Sequence, residues 1–182
     1  MIASEQIDLG LKLHKELDLQ TILPFKRLLS LHPNWFISDL SQQGEDFTVK
    51  IKDYDTENTS LLTGNIKFNS EKKEILAISL TGAVNINIRF FNIDNLLSVQ
   101  TFSPEKIETT DPALLWIRAI KEYIRLYIKT TPVTIFFRIL MNRMILTMNP
   151  SQRKICMMLA KITFVEIIVI IFIVVAYKIF VL

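Results

Sequence analysis

The sequence is poor in the residues from which recognisable chemistry is usually built. One cysteine in 182 residues excludes an intrachain disulfide framework. Two histidines and that single thiol are too few for a zinc site made from those ligands alone. Four glycines, at positions 10, 44, 64 and 82, leave no Gly-rich loop to cradle a phosphate, and the chain has no G-x-S-x-G, H-E-x-x-H, Walker or Rossmann pattern. No metal or cofactor is expected, and no acid–base pair is placed for catalysis. Acid is missing from one region altogether: residues 123–165 carry Arg125, Lys129, Arg138, Arg143, Arg153, Lys154 and Lys161 but no Asp or Glu.

What is present is apolar. Half of the chain is hydrophobic, including 12 Phe, which excludes a disordered chain. The net charge of +3 conceals a segregation. Residues 1–122 hold 13 basic and 17 acidic residues, a net of −4, and an acid-free basic neck separates this front from an apolar end. The spacing suggests a folded domain over 1–130, an amphipathic neck over 131–161 and a transmembrane helix over 162–182.

The end reads ITFVEIIVIIFIVVAYKIFVL, with no charge between Glu166 and Lys178. About 20 such residues cross a hydrocarbon core of about 30 Å. Glu166 and Lys178 each lie near enough to an end to reach the polar interface. Arg153, Lys154 and Lys161 precede the span, so the domain before it is expected on the cytoplasmic side, as at a bacterial inner membrane. The opening MIASEQIDLG has no basic region and no long apolar core, so no secretory signal is expected there. The pattern resembles a tail-anchored, single-pass protein.

In the neck, Pro132 opens a helix and Asn149-Pro150 ends it. Thr134, Arg138 and Asn142 fall on one narrow stripe of an otherwise apolar helix, with Arg143 well away from it. Five of the six Met lie between 141 and 158. The expectation is a helix held at the headgroup layer by Arg138 and Arg143, or a docking site for a membrane-protein partner. A helix packed on the domain, or a short second membrane segment, are the alternatives. Charges interleaved with Phe, Ile and Met beside a span favour membrane lipids over nucleic acid as the partner.

The front alternates. Ile7, Leu9, Leu11 and Leu13 share one face of a strand over 6–14. Asp18 caps a helical stretch that Pro24 divides in two, and His32-Pro33-Asn34 ends it. Six short strands follow, at about 35–40, 47–52, 62–68, 74–80, 84–90 and 95–102. Their connections are short and turn-like, so neighbours should pair antiparallel. Asp111 caps and Pro112 opens a long helix to about Lys129.

This order of strand, two short helices, six antiparallel strands and long helix resembles the helix-grip fold of the START, Bet v 1 and polyketide-cyclase-like (SRPBCC) superfamily. The resemblance covers residues 5–129. It implies an α+β fold in which an antiparallel sheet wraps a long C-terminal helix, here followed by an amphipathic neck and one transmembrane helix. It also implies an apolar cavity, for which Phe47, Val49, Ile51, Ile66, Phe68, Ile86, Ile88, Phe90, Trp116, Ile120 and Tyr123 are the candidate lining. Arg138, Arg143, Arg153, Lys154 and Lys161 are the candidate membrane-interface residues.

Other residues carry less. Asp53, Asp55 and Glu57 begin like a Ca²⁺ loop, but Asn58 and Gly64 stand where Gly and Glu are needed, so a solvated hairpin turn is expected. His14 and His32 read as surface residues, Cys156 as a plain apolar residue and Arg89 as solvent-facing. Two functions follow: a membrane-tethered binding module for a lipid or other apolar small molecule, or a single-span accessory subunit of a membrane complex without a ligand. An enzyme ranks behind both. If the neck charges orient the span, changing Arg153, Lys154 and Lys161 together to Glu inverts or impairs insertion, read by a reporter fused at Met1.

Overall fold

A computed structural model describes residues 3–13, 18–69, 73–93, 95–103 and 111–181. Strand β1 spans Ala3–Lys12 and is followed by two short helices, α1 (Leu19–Ile22) and α2 (Phe25–Ser30). Strands β2 (Trp35–Gln43), β3 (Asp46–Asp53), β4 (Thr59–Phe68), β5 (Glu74–Gly82), β6 (Ile86–Ile93) and β7 (Leu96–Ser103) come next, then helix α3 (Pro112–Ile128). Helix α4 (Pro132–Arg143), a 3-10 turn (Ile145–Thr147) and helix α5 (Pro150–Val181) complete the chain. His14 lies outside the described residues.

Caps and prolines set the helix boundaries. Asp18 accepts from the Gln20 N–H at 3.0 Å and the Thr21 hydroxyl at 2.6 Å. The Thr21 bond in particular holds its carboxyl below the ordinary value. Pro24, at the N-cap of α2, separates the two short helices as its ring requires. The last three helices repeat one device, a polar cap followed by proline at the first helical position. Asp111 accepts from Ala113 at 2.8 Å. Thr131 and Thr134 form a reciprocal capping box, and Asn149 and Gln152 form another at 2.9 and 3.0 Å. Asn149-Pro150 therefore begins α5, whereas α4 already ends at Arg143.

The seven strands form one antiparallel sheet in the order β1-β7-β6-β5-β4-β3-β2. Short turns order six of them, and β1 closes the sheet by pairing with the last strand. Its register shifts by a bulge at Leu9 and Gly10, between Asp8 and Leu11, with Gly10 at φ 63°, yet Leu9, Leu11 and Leu13 stay buried on one face. The register stacks apolar residues in rungs. Phe68, Leu76, Phe90, Val99 and Ile7 stand opposite one another across five strands. Ile66, Ile78 and Ile88 form a second rung, and Phe47, Gly64, Leu80 and Ile86 a third. One face is thus continuous hydrocarbon and the other carries Thr, Ser, Asn and Lys.

Helix α3 covers the apolar face. Trp116, Ile117, Ile120, Tyr123 and Ile124 recur at helical spacing, and all are buried in the same cluster as the sheet's inner residues. The result is the helix-grip-like arrangement expected from element order. The chain separates into two compact units, Met1–Thr147 and Met148–Leu182. Helix α4 belongs to the first. The second is the long helix α5, of which Pro150–Ile179 is long and apolar enough to cross a membrane, with a mean hydropathy of 2.7 in an 18-residue window.

Gly64 sits where the third rung is tightest. A methyl group there would lie 2.8 Å from Leu80 Cδ2 and 2.9 Å from Phe47 Cζ, against a strand backbone that cannot withdraw. Gly64→Ala is expected to cost about 1–3 kcal/mol through overpacking, seen as a lower unfolding midpoint of the full chain in detergent. An unchanged midpoint would contradict this packing.

Candidate functional site

The candidate cavity residues converge as the alternation requires. Phe47, Val49 and Ile51 come from β3, Ile66 and Phe68 from β4, and Ile86, Ile88 and Phe90 from β6, while Trp116, Ile120 and Tyr123 project from α3. Ten of the eleven are 0–4% exposed, and Phe68 is half-buried. Phe25 of α2 closes that side in edge-to-face contact, its ring centre 5.9 Å from that of Phe47 and 6.2 Å from that of Phe68.

The two short helices contribute more than element order suggested. Leu23, Leu28 and Leu29 are fully buried. The Trp116 indole N–H donates to the Leu28 carbonyl at 2.8 Å, which pins α3 to α2. His32 corrects the expectation of a surface residue: it is 1% exposed, stacked on Trp35 at 3.9 Å, and its Nδ1 accepts from the Asn34 N–H. A His-Pro turn usually faces solvent, but here the two tryptophan rings meet at the end of α2 and cover it. The buried Trp35 indole N–H and Thr101 hydroxyl have no hydrogen-bond partner among the described residues.

Arg89 lies on the outer face opposite Glu74 at 3.8 Å. Asp53 accepts from the Asp55 N–H at 2.8 Å and so closes its own turn. The outer face also bears an open polar groove of about 480 Å³ across β2–β5, lined in part by Ser41, Thr48, Thr63 and Thr81. Thr63 and Thr81 hydrogen-bond across the strands at 3.0 Å, and Asn65 donates to Asp46 at 2.8 Å. Strand alternation places these residues on one face, but only the register aligns them into ladders.

The second candidate region is α4, and here the arrangement is inverted. Its polar stripe faces the protein. Arg138 donates to the Leu126 carbonyl at 2.8 Å, to the Lys129 carbonyl and Thr130 Oγ1 at 3.3 Å, and lies 4.5 Å from the Tyr127 ring. It thereby satisfies the open carbonyls at the end of α3, where the helix dipole also favours a cation. Asn142 completes a polar ring: Tyr123 donates to its Oδ1 at 2.7 Å, its Nδ2 donates to Tyr127 at 3.1 Å, and the two tyrosine hydroxyls are 3.0 Å apart. Arg138, expected at the headgroup layer, is thus engaged with α3, whereas Arg143, Lys154 and Lys161 are exposed. Arg153 is half-buried and donates to the Met148 carbonyl at 2.9 Å. Met141 packs against the core, whereas Val133, Ile135, Phe136, Phe137 and Ile139 of α4 are exposed, and no residue of the helix is buried.

No protein-family model matches this chain, and no curated protein matches it either. The likeness to helix-grip proteins therefore rests on element order and strand topology.

Burial, followed by the Tyr127 hydrogen bond, raises the Tyr123 pKa well above its ordinary value of 10.0. A folded-state pKa raised in this way gives stability that is complete below about pH 10 and lost as pH climbs through the folded value. Tyr123→Phe is expected to cost about 1 kcal/mol at neutral pH by leaving Asn142 and Tyr127 short of a partner. The gap between wild type and variant should narrow above about pH 10, measured by denaturant unfolding across pH 8–11.

Proposed function

We propose that this protein is a single-span accessory module that holds a packed helix-grip domain at the cytoplasmic face of a membrane and joins a larger membrane assembly through its tail. The observation that carries this reading is the state of the core. A ligand void of about 300 Å³ would have walls of about 200 Å². Val49, Ile88, Phe90, Trp116 and Ile120 present no surface to a water-sized sphere. The side chains that would line a cavity fill the space instead, which favours a scaffold.

The tail supports the same reading. Along α5, Lys161 and Lys178 stand about 25 Å apart, close to the thickness of a hydrocarbon core. Glu166 is the one acid or base between them, about 7 Å inside the first. A carboxyl there lies within reach of the interface, and a polar or basic group on a neighbouring helix would pair with it. The lysines and arginines ahead of the span favour a cytoplasmic domain.

A second reading is a carrier of a lipid or other apolar molecule, in the manner of START and SRPBCC proteins. The Trp35 N–H and Thr101 hydroxyl, without a partner among the described residues, favour it, because a bound acceptor or donor would satisfy them. In this reading α3 must lift from the sheet to admit the ligand.

Native mass spectrometry of the full chain, extracted from its own membrane in mild detergent, separates the two. An accessory module appears in an assembly heavier than one chain, without a stoichiometric apolar small molecule. A single chain carrying one lipid or similar molecule would overturn the proposal in favour of the carrier. Within the first reading, Glu166→Leu is expected to leave insertion intact and to deplete the assembly.

A further inference from the structure

Helix α4 meets the protein mainly through polar side chains, with Met141 beside them, and is apolar where it does not. A surface helix in water has the opposite arrangement, with its apolar stripe on the core and its polar residues outside. Thr134, Arg138 and Asn142 are turned toward α3 or its end. Val133, Phe136 and Ile139 are 62, 61 and 55% exposed. The outward side carries one charge, Arg143, at its C-terminal end. Arg138 and Asn142 cannot turn outward without breaking the bonds that satisfy α3, so the helix cannot roll over to hide its apolar side.

Something apolar covers that side, and three observations indicate what it is. First, only six residues separate Arg143 from Pro150, where the apolar helix α5 begins. A chain of that length reaches at most about 25 Å, so a bilayer crossed by α5 is within range. Second, the free charge of the neck is of one sign. Lys129 and Arg143 are exposed before and at the end of α4, while Arg125 is ion-paired with Glu122 at 3.4 Å, and the acid-free stretch runs from residue 123 to 165, which suits anionic headgroups. Third, a monotopic helix needs aromatic and branched aliphatic side chains on its buried face and basic residues at its margin, and α4 has both.

We infer that α4 is a second membrane-seating element. Its Val133–Phe136–Ile139 side enters the boundary between headgroups and acyl chains, and Arg143 lies at the phosphates. This rests on the reading of α5 as a membrane span. The domain is then held at two points, and the end of α3, to which Arg138 and Asn142 are bonded, is brought down to the bilayer surface.

The test uses the full chain reconstituted into vesicles of phosphatidylcholine and phosphatidylglycerol. Phe136→Trp places a reporter on the outward side of α4, and Leu61→Trp places one on an exposed position of the sheet. The native Trp35 and Trp116 are fully buried and supply a constant background. Flotation reports the tether, and quenching by lipids brominated near the top of the acyl chain reports seating. The expected result is that both variants float, that the emission added by F136W is mostly lost in brominated vesicles, and that the emission added by L61W is retained. Flotation without quenching of F136W overturns the seating of α4 while leaving α5 as a span. Blue-shifted but unquenched emission has the same force and assigns the surface to a second copy of the chain. Quenching at both positions overturns it too, because adsorption is then unspecific. Failure to float overturns the membrane reading itself.

Discussion

The packing of α3 against the apolar face of the sheet is the contact on which the rest depends. A seven-stranded antiparallel sheet with one hydrocarbon face is not a stable object in water until that face is covered. The stripe from Trp116 to Ile124 covers it, and the Trp116 bond to Leu28 locks the two short helices into the same core. Without that contact Trp35, His32 and the leucines of α2 would have no shared interior. The sheet edge built by β1 also depends on the central strands being held in register, because its partner β7 is distant in sequence.

The same helix decides what happens to the neck. Its buried stripe ends in Tyr123 and Ile124, and its last turn exposes carbonyls that need donors. Arg138 supplies them and Asn142 pairs with the Tyr123 and Tyr127 hydroxyls, at the expense of turning the polar side of α4 inward. An apolar outer surface is therefore a consequence of how α3 is terminated. A soluble domain would meet this need with a polar loop or water. Here a helix does so, and its other side is suited to an apolar medium, which fits a chain whose next element is long and apolar enough to cross a membrane.

The core also bears on the choice between carrier and scaffold. Helix-grip architecture encloses space when α3 stands off the sheet and none when side chains interdigitate beneath it. Phe47, Phe90, Trp116 and Tyr123 are bulky enough to do either. Their near-complete burial, with Leu76, Ile78 and Leu80 between them, places this chain toward the packed extreme.

Much of this was legible in the sequence. Period-two alternation in residues 47–52, 62–68 and 84–90 marks strands and the faces they bury, because adjacent side chains on a strand must point opposite ways. Asp111-Pro112 and Thr131-Pro132 mark helix starts, because a capping oxygen and a fixed φ are local requirements. The apolar run of α5 and the absence of acid ahead of it follow from composition alone. The burial of His32, the fit of Gly64 between Leu80 and Phe47, and the inward turn of Arg138 were not legible. Each depends on a partner more than ten residues away or on the opposite strand, and no local pattern encodes where such a partner will lie. Helical spacing put Thr134, Arg138 and Asn142 on one stripe, but the direction of that stripe was decided by the tyrosines and open carbonyls of α3, which exist as a polar patch only once the chain has folded.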